Sequence, residues 1–327
     1  MKQALFEERY GPQWTRFEQW LDRREKLRGR QGEAADALQD AEVPAAYRRL
    51  CQWLALARER RYSPDLVEHL NRLALRGHHV LYGARGGQSA RLWMFLAAGF
   101  PRLVRAQWRV ILAAAVLFMG SLALLFGVVL SKPDFIIYLV EPEHISAFQE
   151  MYDPKNQRLG MREGEDNVMM FAFYIWNNVK IGFQVFATGV LFGMGTVFFL
   201  LYNGALIGAV AAYLTGIGYG EPFWSFVSGH SALELTAIVI AGAAGLKLGG
   251  AVIAPGLRSR RTALVEAARP AARLVYGAAL MFVMAAFVEG FWSPLTTFSP
   301  STKYLVGAAL WALVLAYFSL AGRARAT

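Results

Sequence analysis

The chain has 327 residues, 55% of them hydrophobic and 13% aromatic, with a positive mean hydropathy of +0.30 and a formal net charge of +10. That is more apolar material than one soluble domain of this length buries, so a single water-soluble globule is excluded. The charge does not mark a nucleic-acid binder either, because the basic residues bracket hydrophobic segments, which is the pattern of membrane topology.

Residues 1–107 are polar and arginine-rich, and most long apolar runs follow them. The expected architecture is therefore all-α: a cytoplasmic helical domain over 1–107 and a polytopic helical membrane domain over 108–327. In MKQALFEERYGPQWTRFEQW acids stand where a signal peptide needs an apolar core, so no signal peptide is expected. Trp14, Phe17, Trp20 and Leu21 recur at helical spacing. Tyr47, Leu50, Cys51 and Leu54 form a second stripe, and Ser63-Pro64 opens a third helix bearing Leu66, Leu70 and Leu73. These stripes predict helices packed on one another. Cys51 is the single cysteine and has no intramolecular disulfide partner, in keeping with a reducing compartment. GARGGQSA, Gly83 to Ala90, reads as a linker, since no strand precedes it and no Gly-Lys-Ser/Thr follows. The next segment has an apolar face interrupted by Arg102, Arg105 and Arg109, the mark of an interfacial helix.

A first span is predicted over 108–130. The following loop, 131–167, carries four basic and eight acidic residues, a balance of −4, which places it outside. VMMFAFYIWNNVK, Val168 to Lys180, reads as an aromatic interfacial stretch entering a second span over 179–201. Asn203-Gly204 then breaks the run before a short third span over 205–219. Fifteen residues barely reach across about 30 Å of hydrocarbon, so spans two and three are either full crossings or a re-entrant pair. A fourth span covers 223–250, and six basic residues between Lys247 and Arg273 face Glu266 alone, so that segment is expected inside. A fifth span over 273–291 and a sixth over 304–321 complete a bundle with both termini cytoplasmic.

His230 and Glu234 lie one helical turn apart within the fourth span. With span polarity fixed by charge, Asn177, Asn178, Lys180 and Glu289 fall in the same outer half. Ionisable groups at such depth cost several kcal/mol unless paired, so they either tie helices together or form a functional polar site. No metal is expected. A zinc centre wants three protein ligands, and His69, His78, His79 and His144 lie in other parts of the chain. No catalytic motif appears around Ser228 and Ser231, and no cofactor is called for. Gly189 with Gly193, Gly204 (after Asn203) with Gly208, and Gly245 with Gly249 are small residues four apart, suited to close helix packing within the chain or in a homodimer.

NNVKIGFQVFATGVLFGMGT, YNGALIGAV, GHSALELTAIVIAGAAGLKLG and APG, in this order, resemble the stage II sporulation protein M family of integral membrane proteins. The resemblance falls on Asn178, Gly189, Gly193, Thr196, Asn203, Gly204, Gly208, His230, Glu234, Gly245, Pro255 and Gly256, and extends to the Trp-rich start. Several members have Pro-His-Gly where this chain has Gly229-His230-Ser231, a difference placed at the expected helix entry. The resemblance implies a multi-pass protein of the bacterial inner membrane, a non-enzymatic scaffold or anchor in the cell envelope, with MoxR-type ATPases as partners of some relatives. The polar residues keep a second function open: a transporter, channel or lipid-handling protein using His230, Glu234, Lys180 and Glu289.

Overall fold

The computed structural model describes residues 2–26, 42–81, 88–155 and 164–323, without the side chains of 24–26, 88 and 164–167. The linker residues 83–87, together with Arg158, Arg162, Glu163 and Arg325, lie outside the described residues. All regular structure among those described is helical. The chain divides into two compact units, Met1–Arg91 and Leu92–Thr327, so the arginine-bearing segment before the first span belongs to the second unit.

The first unit holds α1 (Gln3–Lys26), α2 (Val43–Glu59) and α3 (Pro64–Leu81). Its core collects the predicted stripes: Trp14, Phe17, Trp20 and Leu21 from α1, Leu50 and Leu54 from α2, and Leu66, Leu70 and Leu73 from α3 are all buried. Tyr47 and Cys51 sit at the margin, half-buried. Ser63 caps α3 by accepting from the Leu66 amide at 3.4 Å, and Gln3 holds Ser63 in place, its Nε2 donating to the Ser63 hydroxyl and its Oε1 accepting from the Ser63 amide.

The boundary falls within α4 (Gln88–Met94), and the second unit goes on through a π-turn and α5 (Phe100–Ala106) into α6 (Trp108–Ser131). A 3₁₀ turn over Pro133–Tyr138 and α7 (Pro142–Tyr152) order the acidic segment, α7 docking by Gln149 Nε2 donating to the Tyr213 hydroxyl at 2.7 Å. Then come α8 (Gly164–Ala187), α9 (Met194–Gly216), α10 (Gly220–Ile253), α11 (Arg260–Phe287) with a π-turn over Val288–Trp292, and α12 (Pro300–Leu320). Five of these helices, α6, α9, α10, α11 and α12, are long and apolar enough to cross a membrane.

Spans two and three differ from expectation. The aromatic stretch at 168–180 does run on into the predicted second span, the two forming one helix, α8, but that helix ends at Ala187, and the break falls at Leu191–Gly193 instead of Asn203-Gly204. The cause is local. Phe192 and Gly193 take left-handed backbone angles (φ 54° and 76°) and reverse the chain. Asn203 donates its amide to the Phe199 carbonyl at 2.7 Å, one turn back, so it satisfies itself inside α9. At 23 residues, α9 is about 34 Å long, enough for a full crossing. The Thr196 hydroxyl at its start donates to the Val185 carbonyl of α8 at 2.7 Å, so the two helices meet at that end as an ordinary hairpin. With α8 as the sixth member the bundle has an even number of long helices. The expected fourth and fifth spans also start early, at Gly220 and Arg260. The exposed Arg269 and Arg273 lie along α11 and do not bar it.

Tertiary contacts gather basic groups at one end of this unit. Arg105 donates to the Phe318 and Ala321 carbonyls at 2.6 and 2.8 Å, Arg102 to the Gly322 carbonyl, and Lys247 to Gln107 Oε1 at 2.8 Å. Because Arg105 satisfies two of the carbonyls at the end of α12, Arg105→Ala is expected to fray that end. Faster limited proteolysis after Ala321, with cleavage elsewhere unchanged, is the result that checks it.

Candidate functional site

The face of α10 one turn apart brings His230 and Glu234 together, His230 Nε2 lying 3.7 Å from Glu234 Oε2. His230 is 2% exposed and the Glu234 side chain 19%. Counted from Gly220, they stand about 15 and 21 Å along α10. Gly229-His230-Ser231 is therefore mid-helix and not a helix entry; glycine stands at 229 because a Cβ there would overlap the Trp292 ring.

Two other segments complete the cluster. The π-turn after α11 presents Glu289, one carboxylate oxygen of which lies with a His230 ring nitrogen and a Glu234 carboxylate oxygen in a group within 4.8 Å of one another. The turn also brings Ser293, whose hydroxyl sits 3.2 Å from His230 Nδ1. From α8, the buried Asn178 donates its amide to Glu289 Oε2 at 3.4 Å, and Asn177 donates to Asn178 Oδ1 at 3.2 Å. Lys180, two residues on and about 200° around the helix, is exposed on the far side of α8, away from this cluster. Five of the six expected polar residues thus come together and Lys180 does not.

The sequence reading missed Ser293 and Lys303. Lys303 is 7% exposed, and its ammonium donates to the Ser293 carbonyl at 2.8 Å, while its own carbonyl accepts from the Ser228 hydroxyl at 3.2 Å. One lysine at the head of a span reads as a flanking charge, and nothing local distinguishes it from one. Aromatic groups close that end: the Phe226 ring meets His230 edge-on at 5.6 Å and Tyr152 of α7 at 6.0 Å.

The six glycines paired at four-residue spacing, Gly189, Gly193, Gly204, Gly208, Gly245 and Gly249, all face neighbours within the chain. A Cβ on Gly189 would overlap the Gly245 backbone, and one on Gly249 the Gly193 backbone. Gly204 lies on the Phe118 carbonyl and Ser121 hydroxyl of α6, and Gly208 on the Leu122 carbonyl. The close approaches join the α8–α9 turn to α10, and α9 to α6.

These features define a polytopic α-helical membrane protein with a polar cluster buried between helices. The chain belongs to the stage II sporulation protein M family, whose family model matches residues 111–294, more than half of its length. That match lies within the second unit and does not reach the Trp-rich start; residues 4–83 instead match a domain of unknown function (DUF8413). No curated protein and no solved structure matches the chain.

Proposed function

We propose that this protein is a non-enzymatic anchor of the bacterial cytoplasmic membrane, holding other envelope or membrane proteins in place, with both chain termini cytoplasmic. The observation that carries the reading is how the membrane unit is closed. The glycine backbones of the α8–α9 turn and of α9 are pressed against α10 and α6, and Asn178, His230 and Lys303 are each paired across segments. The orientation is supported by charge, since Arg102, Arg105 and Lys247 share one end while Asp134, Glu141, Glu143, Glu150 and Asp153 lie on the segment between α6 and α8. In this reading the three-helix first unit meets cytoplasmic partners, a MoxR-type ATPase being the one family resemblance offers. A homodimer loses its sequence rationale, because the glycine faces are used inside the chain.

A second reading, a transporter or lipid-handling protein, is favoured by the partial exposure of Glu234 and Glu289. Purified protein in proteoliposomes separates the two. The anchor reading expects proton and cation flux equal to that of empty vesicles. Flux above that level, abolished by Glu234→Gln, would overturn it in favour of transport.

A further inference from the structure

We propose that His230, Glu234 and Glu289 bind a divalent first-row transition-metal ion, with zinc the best match. This goes beyond the anchor reading and does not depend on it. One imidazole and two carboxylates are a donor set that Zn²⁺ accepts, and three protein ligands are what an open, four-coordinate site requires. Sequence spacing alone offers two ligands, and folding supplies the third from Glu289, 55 positions beyond Glu234 in sequence.

The separation within the pair fits an ion better than a direct contact. His230 Nε2 and Glu234 Oε2, 3.7 Å apart, are beyond hydrogen-bond length. Two ligands each about 2.1 Å from a tetrahedral ion stand about 3.4 Å apart, so little movement closes the His230–Glu234 pair, and Glu289 has to draw in from a group that spans up to 4.8 Å. The surroundings match what holds metal ligands in position. His230 has its other nitrogen, Nδ1, on the Ser293 hydroxyl, which leaves Nε2 to face the carboxylates. Asn178 holds one oxygen of Glu289 from a third helix. Glu289 itself is carried on a π-turn, a rare element that recurs at functional sites. An ion there would tie α10 to the π-turn after α11 and neutralise two carboxylates set among apolar helices.

The test uses the full chain, purified in detergent on a tag without histidines and without chelator. Metal content is measured by mass spectrometry, followed by stripping and titration with Zn²⁺. One zinc per chain and saturable rebinding are expected. Glu289→Gln, which keeps the side chain's shape, is expected to weaken binding at least tenfold while the protein stays monodisperse. Ser293→Ala is expected to weaken it about tenfold through the imidazole. Cobalt substitution provides an optical check, its visible bands being lost in Glu289→Gln. The proposal is overturned if the wild type shows no saturable binding. It is equally overturned if Glu289→Gln and His230→Gln bind as the wild type does, which would assign the ion to His69, His78 or His79. A flux result in vesicles bears on the anchor reading alone.

Discussion

Gly245→Leu is expected to destabilise the membrane unit by about 2–4 kcal/mol, lowering its melting point by roughly 4–16 °C in detergent. A Cβ at this position falls on the Thr196 hydroxyl and stands 2.9 and 3.0 Å from the Val185 and Phe186 carbonyls. The obstacle is mostly backbone, which has little room to move, so overpacking contributes about 1–3 kcal/mol. The same intrusion displaces the buried hydrogen bond from Thr196 Oγ1 to the Val185 carbonyl, 2.7 Å long, for about 1 kcal/mol more. Gly250→Ala is the control, since nothing lies within 4 Å of its Cβ position and a helical Gly→Ala change is neutral or stabilising. The measurement is the temperature at which half of the monodisperse peak is lost. Equal values for Gly245→Leu and wild type would mean that the α8–α9 turn does not sit on α10.

The second large effect concerns Lys303. Lys303→Met keeps length and apolar bulk but removes the ammonium that donates to the Ser293 carbonyl at 2.8 Å. A hydrogen bond to a charged group contributes about 1.5–3 kcal/mol, and a carbonyl left without its donor in a buried setting accounts for much of that. The loss also loosens Ser293, which touches His230. Lys180→Met, by contrast, is expected to be neutral or stabilising, because Lys180 lies outside the cluster on the exposed face of α8, where an apolar side chain suits a membrane helix better than a charge. The two variants side by side in one thermal series form the check. If Lys180→Met were the costlier change, the face assigned to α8 would be wrong.

Much of this molecule was legible without coordinates. Long apolar runs announced the membrane helices, because hydrocarbon demands continuous helical segments of a set length. The Trp14, Leu50 and Leu70 stripes announced the first unit's core, because helical period alone decides which residues share a face. The pair His230 and Glu234 was likewise visible, since four-residue spacing on a helix guarantees proximity.

Other features depended on contacts between distant segments. Asn203-Gly204 has the signature of a turn, yet within a bundle Asn203 bonds its own helix and Gly204 admits α6. The true reversal sits in the apolar FGMG run, where only the left-handed angles of Phe192 and Gly193 reveal it. Lys180 and Asn178 are two residues apart, and which one faces the cluster follows from where α11 packs. Glu289, Ser293 and Lys303 join His230 from beyond a full helix and a turn. Periodicity reports the faces of a helix, whereas the choice of which faces meet is made by packing, and a site shared by four segments exists only once that choice is made.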